Sequence, residues 1–282
     1  MNSPPAGPPA SDLMADYYRL LGELLQMAWG DNFHLGYWEG PDDTSSVQEA
    51  TDRLTDVLAA RLRVGPGSRV LDVGCGIGSP ALRVAATTSA GVFGITTTPE
   101  HVEQAAERAR EQGMADRVTF QQADGMDMPF EPESFDAVLA LESIMHMERP
   151  TALREMARVL APGGRLVLTD VFPLAEEASD NPQAFGTLFG DAPVSEQDPG
   201  MASLARFEDW PDLVSAAGLR LDELTDITEN VQNTFPRMLD GFIDRRREFE
   251  RQHGVSVEQV LDHTRQANPV AAGCLVMAAH KP

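Results

Sequence analysis

Between residues 69 and 171, short apolar runs alternate with longer stretches whose apolar positions recur every three or four residues. The first pattern suits strands buried on both faces, the second amphipathic helices. Strands are predicted at 69–73, 91–95, 117–121, 135–140 and 165–171, with helices from Ala81, over 99–112 and over 150–160. Val64-Gly65-Pro66-Gly67 turns the chain into the first strand, and Pro162-Gly163-Gly164 into the fifth. This alternation predicts an α/β domain on a parallel sheet. Upstream, the spacing is helical over 12–29 and roughly 46–62, interrupted by 30–38. Beyond Pro173 the alternation stops: 174–200 is rich in Pro, Gly, Asp and Ala and reads as a mobile loop with a short helix. Helix 207–217 and strand 219–227 resume the sheet, a helical insertion follows at 234–266, and 272–279 is a last strand.

The chain thus divides into a disordered Pro-rich tail (1–10), an N-terminal helical cover (11–64), an α/β core (65–173), a mobile loop (174–206), a further core helix and strand (207–233), a helical insertion (234–268) and a final core strand (269–282). A parallel sheet does not need the insertion. Its arginines 245, 246 and 247 read as a solvated helix face, and the whole segment as a lid over a substrate.

The sharpest local signal is Val70-Leu71-Asp72-Val73-Gly74-Cys75-Gly76-Ile77-Gly78. Glycines at 74, 76 and 78 let the backbone turn sharply and approach a ligand closely, where the strand ends and a helix begins. A dinucleotide fingerprint would need its third glycine at position 79, which is Ser79. A nicotinamide-dependent oxidoreductase is therefore disfavoured.

Net charge is −22, from 44 acidic and 22 basic residues, which argues against nucleic acid or an anionic membrane as partner. No apolar run approaches the ~18 residues of a membrane helix, and no signal-peptide layout opens the chain. Cys75 and Cys274 do not make a disulfide framework and suit a reducing cytoplasm. Nothing calls for a metal. A small neutral or cationic substrate suits this balance.

Asp72-x-Gly74-x-Gly76-x-Gly78 resembles motif I of the class I S-adenosylmethionine (SAM)-dependent methyltransferases. The likeness extends from Tyr18 to Pro282 through Trp29-Gly30-x-Asn32-x-His34-x-Gly36-Tyr37-Trp38, Ala50-Thr51-Asp52-Arg53-Leu54-Thr55-Asp56, Ala140-Leu141-Glu142-Ser143 and Arg154-Glu155-Met156-Ala157-Arg158-Val159-Leu160. Together these are similar to actinobacterial natural-product methyltransferases, above all the rebeccamycin sugar O-methyltransferase subfamily. The resemblance implies a Rossmann-like, seven-stranded, mostly parallel sheet, SAM as cofactor, a small natural-product acceptor, and a monomer or homodimer. It further implies that Asp72, Gly74 and Gly76 hold the methionine part of SAM. Asp124, Gly125 and Met126 take the adenine, Leu141 packs beside it, and Tyr18, His34 and Tyr37 cover the cofactor. The carboxylate that often binds the ribose is missing from Gly94-Ile95-Thr96-Thr97-Thr98. Thr97 stands there instead, with His101 either donating to a ribose oxygen or exposed in the first turn of its helix.

His146 lies just past the fourth strand, at the rim where α/β ligands bind, and an imidazole takes up a proton near neutral pH. Asp170 ends the fifth strand and is its expected partner; Asp170→Asn is expected to cost less than His146→Ala. The resembled subfamily carries two consecutive histidines where this chain has Met145-His146, which makes the pocket less polar. O-methylation is the leading reading. N-methylation, with Glu142 attracting an amine or merely capping a turn, competes with it, as does a SAM-binding cyclase of the same fold. A non-catalytic SAM binder would need neither His146 nor Asp170.

Overall fold

The computed structural model describes residues 32–174, 204–257 and 272–282, together with Leu24, Met27, Trp29 and Gly30. The expected tail and Tyr18 lie outside the described residues, as does most of the loop expected at 174–206.

Helix α1 (Val47–Leu62) begins at Ser46, whose hydroxyl accepts from Glu49 N–H while the Glu49 carboxylate returns to Ser46 N–H. That reciprocal cap satisfies two otherwise orphaned donors. Seven strands follow: β1 (Arg69–Val73), β2 (Gly91–Thr96), β3 (Val118–Gln122), β4 (Phe135–Ala140), β5 (Leu160–Pro173), β6 (Arg220–Asp226) and β7 (Ala272–His280). Between them run α2 (Ser79–Thr88), α3 (Pro99–Glu111), α4 (Arg149–Val159), α5 (Trp210–Ala216), the single turn α6 (Thr228–Val231) and α7 (Thr234–His253). They form one sheet in the order β3-β2-β1-β4-β5-β7-β6. β7 runs antiparallel to β5 and β6, and the pairs among the first five strands are parallel.

Alternate residues of the central strands feed opposite core layers, as period-two geometry requires. Val70, Ala137, Leu139, Val167 and Val276 pack with α1 and α2 on one face. Leu71, Val73, Val138, Ala140, Leu168 and Met277 pack with α4 and α5 on the other. Burial on both faces is why these strands read as continuous apolar runs.

Two differences from the sequence expectations have local causes. Pro162-Gly163-Gly164 does not precede β5 but lies inside it: the register against β4 slips between Phe135 and Ala137, and Gly163 N–H donates to Lys281 O. The bulge absorbs the glycines without ending the strand. Residues 207–209 form a 3-10 turn before α5, with Pro211 at the helix start. Helix α7 runs to His253, where Gly254 adopts a left-handed cap; Val257 is helical again, and the rest of the insertion expected to 266 lies outside the described residues. Its inner face buries Phe242 and Phe249 against Leu24 and Val257, while arginines 245–247 are exposed.

Candidate active site

The chain runs outward from β1 through β2 to β3, then returns to place β4 on the other side of β1. The carboxyl ends of β1 and β4 therefore flank a topological switch point, where α/β sheets open a ligand crevice.

Gly74, Gly76 and Gly78 have φ of 78°, 51° and 87°, all left-handed. A Cβ on Gly74 would come within 2.3 Å of Ser143 Cβ, and one on Gly78 within 2.7 Å of Phe120. One on Gly76 would meet nothing within 4 Å. The outer two glycines serve the protein's own packing; Gly76 faces open space. Gly74 N–H and Cys75 N–H both donate to Ile95 O at 2.9 Å, and Ser143 Oγ donates to Val73 O at 2.5 Å. Asp72 beneath the loop is 1% exposed, and its Oδ2 has no hydrogen-bond partner. Burial pushes its carboxyl up to about 7. A buried acceptor left without a donor calls for a ligand or another explanation. The ammonium of an amino-acid tail would supply that donor and Gly76 leaves open space beside the loop, so in these respects the residues present fit SAM.

The remaining expected cofactor contacts lie on the same rim. Thr97 is exposed after β2, its carbonyl accepting from Gln122 Nε2. His101 sits in the first turn of α3, half-buried, with burial lowering its basicity. After β3, Asp124 Oδ1 accepts from Met126 N–H at 2.8 Å. Gly125 is buried: a Cβ there would press on Val73 and Met147. Met126 Sδ accepts from Glu148 N–H, tying this turn to the start of α4. Leu141 is buried at the end of β4.

His34, expected to cover the cofactor, is held by the protein itself. Its ring is buried, Nδ1 donates to Leu35 O at 2.9 Å, and Nε2 lies 3.4 Å from Thr55 Oγ1. Burial drives its pKa down to about 4, so it is neutral and ties the 32–38 segment to α1. Both ring nitrogens are turned to the protein, which leaves no hydrogen bond for a cofactor. Around it, Leu35 N–H donates to Glu142 Oε1, Gly36 N–H to Thr234 Oγ1, Tyr37 N–H to Ala50 O and Trp38 N–H to Asn230 O. This entry segment therefore joins the end of β4 to α1, α6 and α7.

On the acceptor side, His146 ends a 3-10 turn (Ile144–His146) and is exposed. Asp170 is fully buried on β5, and the imidazole acts on it electrostatically. Its main partner, however, is one that sequence reasoning missed. Arg149 Nε reaches Asp170 Oδ2 at 2.6 Å and Nη2 reaches Oδ1 at 3.0 Å, with the side chains 3% and 0% exposed. Asp170→Asn would strand a buried guanidinium, and breaking such a pair costs about 3–5 kcal/mol. The substitution expected to be the milder one for turnover is therefore expected to carry a cost in folding as well. Glu142 also does more than cap a turn. It holds φ of 49°, rare for a non-glycine residue, and burial raises its carboxyl to about 8. No sequence signal marks Arg149, an ordinary arginine at the start of α4, whereas Glu142 stands out in the Ala140-Leu141-Glu142-Ser143 run.

The sheet order, the glycine cradle and the orphaned acid define a class I SAM-dependent methyltransferase, and the chain belongs to that family. A methyltransferase domain model matches residues 71–168. Methyltransferase GfsG of Streptomyces halstedii is 41% identical over 233 residues, 81% of this chain and 80% of that protein. The 27-O-demethylrifamycin SV methyltransferase of Amycolatopsis mediterranei is 35% identical over 270 residues, 94% of this chain and 95% of its own. Among solved structures, the [4+2]-cyclase SpnF superposes with a TM-score of 0.72 at 31% identity, covering 97% of both chains. The chain is thus a SAM-dependent methyltransferase akin to enzymes of natural-product biosynthesis. Among the described residues, no helix is long and apolar enough to cross a membrane.

Proposed function

We propose that the protein methylates a hydroxyl of a small natural product, with His146 as general base. The observation that carries this reading is an exposed imidazole at the rim of β4 above a buried carboxylate. The match to a 27-O-demethylrifamycin SV methyltransferase along 94% of the chain supports an oxygen acceptor. Asp72 and the backbone at Gly74 and Gly76 hold the amino-acid tail of SAM. Thr97 and His101 serve the ribose, Asp124, Gly125 and Met126 the adenine, and Leu141 packs beside it. Bound SAM supplies an electrophilic methyl carbon on a sulfonium, whose leaving group is neutral S-adenosylhomocysteine (SAH). His146 takes the acceptor's hydroxyl proton as its oxygen bonds to that carbon, and Asp170 offsets the resulting imidazolium charge. Holding the acceptor in line contributes the larger share, roughly 7–11 kcal/mol in well-oriented reactions.

The kinship with rebeccamycin sugar methyltransferases is part of this proposal, resting on the motifs around Trp29, Asp72 and Glu142. Met145, packed with Val171 and Leu204, makes this acceptor side more apolar than two histidines would. Helix α7 and the entry segment act as a cover over the site. The 31% identity with a cyclase favours ring closure as the second reading.

Mass spectrometry of candidate metabolites incubated with protein and SAM separates the two: a transferase adds a methyl group, whereas a cyclase leaves the mass unchanged. His146→Ala is expected to lower turnover on the order of 10²-fold while SAH affinity stays the same. Full turnover in that variant would remove the general base.

A further inference from the structure

We propose that Arg149 is a positioning residue for His146, acting through its two-bond grip on Asp170. The inference rests on the general-base reading above. A buried ion pair is a poor way to gain stability, since apolar residues of the same volume do as well or better. This one lies at the carboxyl end of the sheet, against the turn that carries His146.

Its geometry says what it does there. Nε and Nη2 of Arg149 take one carboxylate oxygen each, which fixes the plane of the Asp170 carboxylate as well as its charge. Arg149 opens α4, three residues after His146. The link between them is stiff: Met147 N–H donates to Ile144 O, Glu148 N–H to Met126 Sδ, and the Glu148 carboxylate caps Thr151 N–H. The Arg149–Asp170 fork therefore docks the histidine-bearing turn onto β5.

The second consequence is electrostatic. Asp170 is faced by Arg149 from α4, His146 from the 3-10 turn, Glu142 from the end of β4 and Cys274 from β7. Burial favours the neutral acid, Glu142 adds like charge when ionised, and a buried thiol supplies no positive charge. Burial is the largest influence and leaves the Asp170 carboxyl raised; of these groups, Arg149 makes the direct ion pair that works against it. Remove its fork and Asp170 takes up a proton, so His146 loses its anionic neighbour and becomes a weaker base.

The test needs no acceptor. Protein carrying ¹³C-labelled histidine is titrated by NMR in the presence of SAH, with His146→Ala assigning the signal. Arg149→Lys keeps the positive charge but loses the fork, and Arg149→Met loses both. His146 is expected to titrate lower in both variants, by about half a unit or more, with SAH affinity unchanged. Should Arg149→Met not fold, Arg149→Lys carries the test: it keeps the charge and most of the volume, so a merely structural role would leave the His146 titration where it is. An unchanged or raised His146 titration in folded Arg149→Lys overturns the proposal. The general-base reading fails separately, if His146→Ala retains turnover.

Discussion

The three glycines of the β1 loop look equivalent in the sequence, yet their surroundings give them different tasks. Gly76 opens onto the cofactor side, at φ of 51°, and a methyl group placed on it would have no atom within 4 Å. Gly76→Val is expected to abolish SAH binding by calorimetry. Its melting temperature should fall only by the few degrees that about 1–2 kcal/mol of left-handed strain implies. Gly74→Ala instead drives a methyl into Ser143 and should lose far more stability. Equal melting losses in the two variants would contradict this division. Asp72 gives a pH signature at the same scale. Its carboxyl, 3.8 when unperturbed, is raised to about 7 by burial, so the folded protein holds a proton that the unfolded chain has released. The stability it confers is present below 3.8 and lost as pH rises through 7. The ammonium of the zwitterionic tail of SAH favours the ionised acid. Affinity should therefore rise between about pH 6 and pH 8, with protons released on binding. In Asp72→Asn both effects should vanish, which calorimetry in buffers of different ionisation heat measures.

The element that ties the site together is the 32–38 segment rather than any helix or strand. Thr234, fully buried at the start of α7, accepts from Gly36 N–H at 3.1 Å and donates to Val231 O at 2.7 Å. Thr234→Val keeps the volume but leaves a buried N–H without a partner, a cost of about 1–3 kcal/mol. Hydrogen exchange at the amides of 34–38 and along α7 should then accelerate, and SAH should bind more weakly. Unchanged exchange would show that α7 is held by its apolar packing around Phe242 and Phe249 instead.

Over the whole molecule, the last strand decides whether the sheet closes. β7 lies between β5 and β6 and pairs with both along most of its length, so α5, β6 and α6 are joined to the parallel strands through it. Its Leu275, Met277 and Ala279 complete one core layer, and Val276 and Ala278 the other. Removing residues 272–282 exposes both layers and two strand edges at once. The truncated chain is expected to lose cooperative thermal unfolding by circular dichroism, not merely to melt a few degrees lower.

The strands, the helices and the glycine loop were legible in the sequence because each is dictated locally. Parallel strands buried on both faces must be apolar runs, an amphipathic helix repeats its apolar positions every three or four residues, and a backbone at φ of 78° or 87° favours glycine. The likeness of those motifs to methyltransferases carried the cofactor with it. The sheet order, the reversal of β7 and the bulge inside β5 were not legible, since periodicity does not say which strand pairs with which. The charges behaved likewise. Arg149 and Asp170 are 21 residues apart in the chain and meet at 2.6 Å only because α4 packs across β5. His34 carried the same signal whether it faced a cofactor or Thr55. Sequence determines which residues can form a strand, a turn or a cap; tertiary packing alone decides which buried polar groups become partners, because that depends on distances the chain closes only when folded.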